Sequence, residues 1–359
     1  MKHIIGLTSI AFSLGLIIYV LYANANIQRE GSTFSSFSLV RGAWERYKTN
    51  FISQDGQVLD ITQNITTSEG QSYAMLRAVW MDDLMAFNKV WNWTKNNLRR
   101  PSDRLFSWKY GQLENGKYGI MDPNSASDAS VDIALALILA HHKFNSLEYL
   151  DEAKKILPAV WDKEVGEYNN SYYLVAGEWA RSKDYLVLNP SYFAPYAFRV
   201  FAEVDPDRPW QKLIDSTYLV LNDWSAQTDT FQLPPDWMML NRNNGELSTA
   251  TDLNLSGDYS YDALRVPYRI SLDAMWFEET RAIDYLSQIG SKLEGLLNKE
   301  QRLIDKYEVT GVPLTTNEAP SMYATALSAW SLTNRPLADR IYEEKIKGLY
   351  SNNTRAFRD

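Results

Sequence analysis

The 359-residue chain contains no cysteine. That absence excludes disulfides, a thiolate nucleophile, cysteine-ligated zinc and lipid attachment through a cysteine. Histidine is almost as scarce: His3 lies in the leader, and His141 and His142 are adjacent on an expected helix. A histidine-based triad therefore has little to draw on. Positive charge is in deficit too, with 36 Lys and Arg against 44 Asp and Glu and a formal net charge of −8. Nucleic-acid binding depends largely on Lys and Arg neutralising phosphates, and no basic stripe with interleaved aromatics occurs, so no nucleic-acid partner is expected. With 45% hydrophobic and 22% charged residues the chain has the composition of a well-cored globular protein. Proton chemistry in such a chain falls to carboxylates, with tyrosine in support.

The N-terminus carries "IIGLTSIAFSLGLIIYVLYA", with no charged side chain between Lys2 and Arg29. Residues 1–25 read as a signal peptide or a membrane anchor. Ala23-Asn24-Ala25 offers a cleavage site, while the apolar run over residues 4–22 is long enough to span a bilayer. Lys2 keeps the N-terminus cytoplasmic in either case. The body is then exported to the periplasm or beyond, free or anchored through residues 4–22, and meets the membrane only there. Residues 26–40, rich in Ser, Thr, Gly and Asn, read as a linker. Residues 41–359 read as one globular domain.

Within that domain apolar residues recur at three- and four-residue steps, as in "GQSYAMLRAVWM" and "LMAFNKVWNWTKNNL", which predicts amphipathic helices. "SVDIALALILAHH" is apolar nearly all round and predicts a helix buried on more than one side. "SYYLVAGEW" after Asn169-Asn170 and "WMMLNRNNGELST" around Asn244-Gly245 predict short hairpins. Ten to twelve helices without alternating strands make the fold class all-α, with β-hairpin insertions.

Three acidic residues share a neighbourhood of small and aromatic residues: Glu69 in "TTSEGQSY", Asp128 in "NSASDASVDIA" and Asp262 in "GDYSYDALRVPYRI". Each has a purely structural explanation. Thr66-x-x-Glu69 is a capping box, Ser125-x-x-Asp128 resembles one, and Asp262 can pair with Arg265 a turn later. Taken singly, the structural explanation wins. Together they meet the need of glycosidic cleavage for two carboxyls flanking the bond, one protonated and one ionised. Asp262 beside Arg265 is expected to stay ionised. Glu69 at a helix start needs burial or a nearby anion to keep its proton, and Asp128 could supply that anion. Trp108, in the polar segment "LFSWKYGQ", is the best candidate for a platform under a sugar ring.

At these residues the chain resembles glycoside hydrolase family 8, the bacterial endoglucanase and chitosanase family, and most closely its exported endo-β-1,4-glucanases associated with cellulose synthesis. Three motifs carry the likeness: "ISQDGQVLD" followed by "ITTSEGQSYAM", then "DPNSASDASVDIALALILAHHKF", then "SYDALRVPYRI". It runs from about Trp44 to the C-terminus. The resemblance implies an (α/α)6 barrel and an inverting mechanism on a β-glucan, with Glu69 as general acid and Asp262 as general base. It further implies that Asp128 distorts the central sugar and raises the acid's pKa, Arg265 orients Asp262, Tyr192 in "NPSYFAPYAF" helps place the water, and Trp108 lines a subsite. No cofactor, metal or partner protein is expected, and the chain is expected to act as a monomer. Chitosan or xylan is the alternative substrate, and a non-catalytic, tethered polysaccharide-binding protein is the alternative from another class. One position departs from the family pattern: Ser130 stands where a second Asp follows Asp128.

Overall fold

The computed structural model describes residues 33–350. The expected leader, residues 1–25, lies outside the described residues. Among the described residues no helix is long and apolar enough to cross a membrane. The first helix, α1 (Thr33–Phe51), starts inside the stretch read as a linker. Val40, Trp44 and Tyr47 explain the difference: spaced four and three apart, they form a stripe that is buried and carries the helix back into the Ser/Thr-rich segment. Trp44 Nε1 donates to Asp83 Oδ2 at 3.0 Å, and the Arg77 guanidinium lies 4.4 Å from the Tyr47 ring centroid.

From α2 (Ser68–Trp80) onward, helices alternate between two environments. The inner series is α2, α4 (Ser127–Phe144), α6 (Pro195–Val204), α8 (Val266–Phe277) and α10 (Pro320–Thr333). The outer series is α3 (Leu84–Asn97), α5 (Leu147–Glu164), α7 (Gln211–Ser225), α9 (Thr280–Glu300) and α11 (Arg335–Ile341). Inner helices are apolar round most of their circumference. In α4 every residue from Ser127 to Ile138 is buried, as the sequence predicts. Outer helices bury one stripe, such as Ala153, Ile156, Leu157 and Val160 in α5. Eleven helices among the described residues make up the (α/α)6 barrel.

Each inner helix turns back through a short loop into its outer neighbour, so all inner helices run the same way. Their N-termini gather at one end, and the long connections between pairs gather there too. These connections hold the sheets: antiparallel β1 (Ile65–Thr67), β2 (Lys109–Gln112) and β3 (Tyr118–Asp122); the hairpin β4 (Val165–Tyr168) and β5 (Ser171–Leu174); and β6 (Tyr185–Leu188), β7 (Met238–Asn241) and β8 (Leu247–Thr249). Both predicted hairpins form. Asn169 and Asn170 each take positive φ, 48° and 59°, the combination a two-residue hairpin turn demands.

A charge pair crosses the barrel interior. Arg269 on α8 donates to both carboxylate oxygens of Asp132 on α4, at 2.6 and 2.8 Å, and its Nη1 also donates to Tyr196 Oη at 2.8 Å. Both charged side chains are 1% exposed. Asp132→Asn leaves the guanidinium without a counter-ion in a low-dielectric core, and the unfolding free energy is expected to fall by about 3–5 kcal/mol. Urea denaturation measures this; a loss below about 1 kcal/mol, the worth of an exposed pair, would mean that water reaches the pair.

Candidate active site

At the start of α2 the helix cap is displaced by one residue from the expected box. Thr67, not Thr66, is the N-cap, its Oγ1 accepting from the Gly70 amide at 3.0 Å. Thr66 points to the opposite face of β1, where its hydroxyl donates to Val58 O at 2.8 Å and accepts from Gln57 Nε2 at 2.9 Å. The shift releases Glu69 from capping, and its carboxyl turns into a cavity. There it accepts from Tyr73 Oη at 3.3 Å and contacts Arg265 Nη1.

The second expected box is also absent. Ala126 is the N-cap of α4 and makes no side-chain cap bond. Asp128 instead accepts from the adjacent Ala129 amide at 2.7 Å and lies 3.7 Å from Arg265 Nη1. The expected Asp262–Arg265 pair is present, Arg265 Nη2 meeting Asp262 Oδ1 across a 3₁₀ turn (Ala263–Arg265) that leads into α8. Arg265 Nη2 also donates to Ser191 Oγ at 3.0 Å, and its guanidinium lies 5.7 Å from the Tyr192 ring centroid.

Every residue singled out from the sequence therefore lines one cavity of about 320 Å³: Glu69, Asp128, Asp262, Arg265, Tyr192 and Trp108. Trp108 is held by its backbone, accepting from the Ser68 amide at 3.0 Å and donating to Asn124 O at 2.7 Å, which ties it to the starts of both α2 and α4. The sequence reading missed Trp237, which lines the same cavity with its ring 6.0 Å from that of Tyr192. It missed Tyr73 as well, although Tyr73 lies four residues after Glu69 and so on the same helix face.

Burial is the dominant electrostatic influence. It pushes Asp128 up to about 7, with Asp132 adding to the rise and Arg269 opposing it. Below that pH Asp128 is mostly neutral, so the anion expected beside Glu69 is present only at higher pH. Burial also raises Asp262 well above the usual carboxylate range, aided by Asp236 and then Asp128, and opposed by hydrogen bonding from Asn189 and Trp237. About a quarter of the Asp262 side chain opens to the cavity, against 13% for Glu69 and 2% for Asp128. The sequence reading counted only Arg265 as a neighbour of Asp262. Burial and two carboxylates from segments remote in sequence thus favour a proton on Asp262, against the expectation that pairing with Arg265 keeps it ionised.

The cavity at the inner-helix N-termini is thus lined by carboxylates and walled by aromatic rings. The sequence profile described as Glycosyl hydrolases family 8 matches residues 19–353. The chain belongs to glycosyl hydrolase family 8. It is 34% identical over 233 residues to an endoglucanase from Cellulomonas uda, covering 64% of this chain and 62% of that protein. With an endoglucanase from Escherichia coli (strain K12) it shares 34% over 230 residues, 62% of this chain and 60% of that one. The family 8 chain thus spans less than two thirds of the length of these relatives. The solved structure of the endo-beta-1,4-glucanase CMCax from Acetobacter xylinum superposes with a TM-score of 0.69 at 26% identity, covering 80% of this chain and 86% of that one.

In this family 8 protein the α4 start is braced from behind. Gly177 packs so closely that a Cβ there would stand 2.3 Å from Ser125 O, and the next residue, Glu178, accepts from the Ser125 amide at 2.8 Å and contacts Arg100. Ser125 Oγ lies 2.5 Å from Glu164 Oε1 and also contacts Glu178 Oε2. One hydroxyl proton cannot serve two carboxylates, so both contacts are hydrogen bonds only when one carboxyl is protonated. Glu164 is that acid. Burial pushes it up to about 8, against hydrogen bonds from Ser125 and Ser130, with Glu178 adding to the rise. Burial acts on Glu178 as well, but hydrogen bonds from Ser125 and Arg100 hold it below its ordinary value. Ser130, the departure from the family pattern, donates to Glu164 Oε1 at 3.0 Å. An aspartate there would set a second carboxyl against the first.

Glu164 binds its proton more tightly folded than unfolded, so this contribution to stability is complete below its ordinary value of 4.5 and is lost as the pH rises through about 8. Glu164→Gln keeps a donor and an acceptor without a titrating proton, and is expected to flatten the decline of Tm between pH about 5 and about 8. Thermal melts across that window measure it. A variant that keeps the wild-type slope would place the titrating proton elsewhere.

Proposed function

We propose that the protein is an exported, inverting, endo-acting glycoside hydrolase that cuts β-1,4-glucan as a monomer, with Glu69 as general acid and Asp262 as general base. The observation that carries this reading is the convergence of two carboxylates from separate helix starts on one guanidinium, at the floor of a cavity walled by Trp108, Tyr192 and Trp237. The relatives named endoglucanase, and the motif match over the whole globular body, supply the substrate class. The leader's composition supports export, with anchoring through residues 4–22 as one route.

A β-glucan chain presents apolar CH faces and hydroxyl edges. Flat aromatic faces cover the former, and the carboxylates and Arg265 bond the latter. With a sugar ring seated between Glu69 and Asp262, Glu69 donates its proton to the leaving oxygen. Asp262 removes a proton from a water that attacks the anomeric carbon from the opposite side. Attack from that side inverts the configuration. Arg265 contacts both carboxylates and orients Asp262. Asp128 holds the hydroxyls of the distorted central ring, and the Tyr192 hydroxyl helps to place the water.

Two measurements test this reading. Reducing-end release from carboxymethyl-cellulose, lichenan, xylan and chitosan is expected to be highest on the glucans, and Glu69→Gln and Asp262→Asn are each expected to lower kcat about 10³-fold. Full activity in either variant would reassign its role, and a folded wild type that binds glucan without turnover would favour a binding protein. An NMR time course is expected to show the α-anomer first. First appearance of the β-anomer would exclude inversion.

A further inference from the structure

Behind the turn that carries Asp262 lies a second buried carboxylate. Asp236, 3% exposed, immediately precedes Trp237 and takes part in no ion pair among the described residues. Its Oδ1 accepts from the backbone amides of Ser260, Asp262 and Ala263 at 3.2, 3.1 and 2.8 Å. Its Oδ2 accepts from Ser256 Oγ at 2.9 Å and from Ser260 Oγ. Its own amide donates to Asp258 O at 2.7 Å. One side chain thus organises the segment from Ser256 to Ala263, and one of its bonds is to the backbone of Asp262 itself.

We propose that Asp236 is a positioning residue for Asp262, fixing the backbone that carries it and setting a second carboxyl behind it. The inference rests on the reading of Asp262 as the general base. Burial raises the proton affinity of Asp236, and hydrogen bonds from Ser260, the Ala263 amide and Ser256 oppose the rise by favouring its ionised form. The other charged or titratable groups facing Asp262 are Arg265 in its own turn, Asp128 at the start of α4, Glu69, which shares Arg265, and the Tyr192 hydroxyl. Asp258, the nearest further carboxylate on the loop, is neutralised by Lys306 at 2.7 Å. Asp236→Asn therefore removes a titratable carboxyl from behind Asp262 while keeping an oxygen for the three amides.

The test is the pH profile of kcat/KM on carboxymethyl-cellulose for wild type, Asp236→Asn, Ser260→Ala and Asp262→Asn. Asparagine keeps an oxygen for the three amides and cannot ionise. Its acidic limb is expected to move to lower pH by about one unit, with a lower kcat and an unchanged KM. A folded Asp236→Asn whose acidic limb stays in place overturns the inference. Ser260→Ala removes one donor, keeps the carboxylate and is expected to lower kcat severalfold at constant KM. If Asp236→Asn does not fold, an unchanged kcat in Ser260→Ala overturns the inference instead. Asp262→Asn separates the two readings: if it retains activity, the assignment of the base fails and takes this inference with it, whereas an inactive Asp262→Asn beside an unshifted Asp236→Asn removes only the role of Asp236.

Discussion

Arg269 and Asp132 close a charge pair inside the barrel, and the site is assembled one helical turn above it. Asp128 precedes Asp132 by four residues on α4, and Arg265 precedes Arg269 by four on the segment that becomes α8. The same aspartate–arginine pairing therefore occurs in two layers. The inner layer is dry, bidentate and within 2.8 Å. The outer layer is stretched to 3.7 Å and faces the cavity. A buried ion pair adds little over a well-packed apolar pair, but it permits one register between the two helices. That register leaves Arg265 free to reach Glu69, Asp128 and Asp262 together.

The direction of the inner helices shapes the electrostatics in the same place. Parallel inner helices aim the positive ends of their dipoles at one rim, which suits the carboxylates of Glu69 and Asp128 in their first turns. Burial works the other way and favours protons. Each carboxyl settles where its own neighbours put it, so three acids in one cavity need not share a charge state. Glu164 extends the pattern beneath the floor, where burial favours its proton and that proton makes both contacts to Ser125 hydrogen bonds.

The helices and the cavity residues were legible in the sequence because both depend on local regularities. Helical periodicity marked α2 to α4, and short motifs marked Glu69, Asp128 and Asp262. The cap at Thr67 was misplaced by one residue because Thr66 and Thr67 offer the same hydroxyl, and only the pairing of β1 with β2 decides which points inward. The start of α1 was missed because a Ser/Thr-rich segment has weak helix propensity, and what holds it is burial of Val40 and Trp44 against distant residues. Asp236 gave no signal, and Trp237 stood out only as the first residue of a hairpin segment. They sit in an irregular connection whose place at the cavity is set by strands paired across tens of residues.

The long connections all fall at the rim where the inner helices begin, and this has a consequence for the order of folding. Each helical hairpin is a local structure that can form early. The site is not: Arg265 donates to Tyr73 Oη, 192 residues away in the chain, and Glu69 and Asp262 come from the starts of helices far apart in sequence. A partly folded chain can hold most of its helices and still bring no two of these carboxyls together. The cavity gains its full set of carboxyls only when the segment carrying Asp262 and Arg265 docks against the starts of α2 and α4.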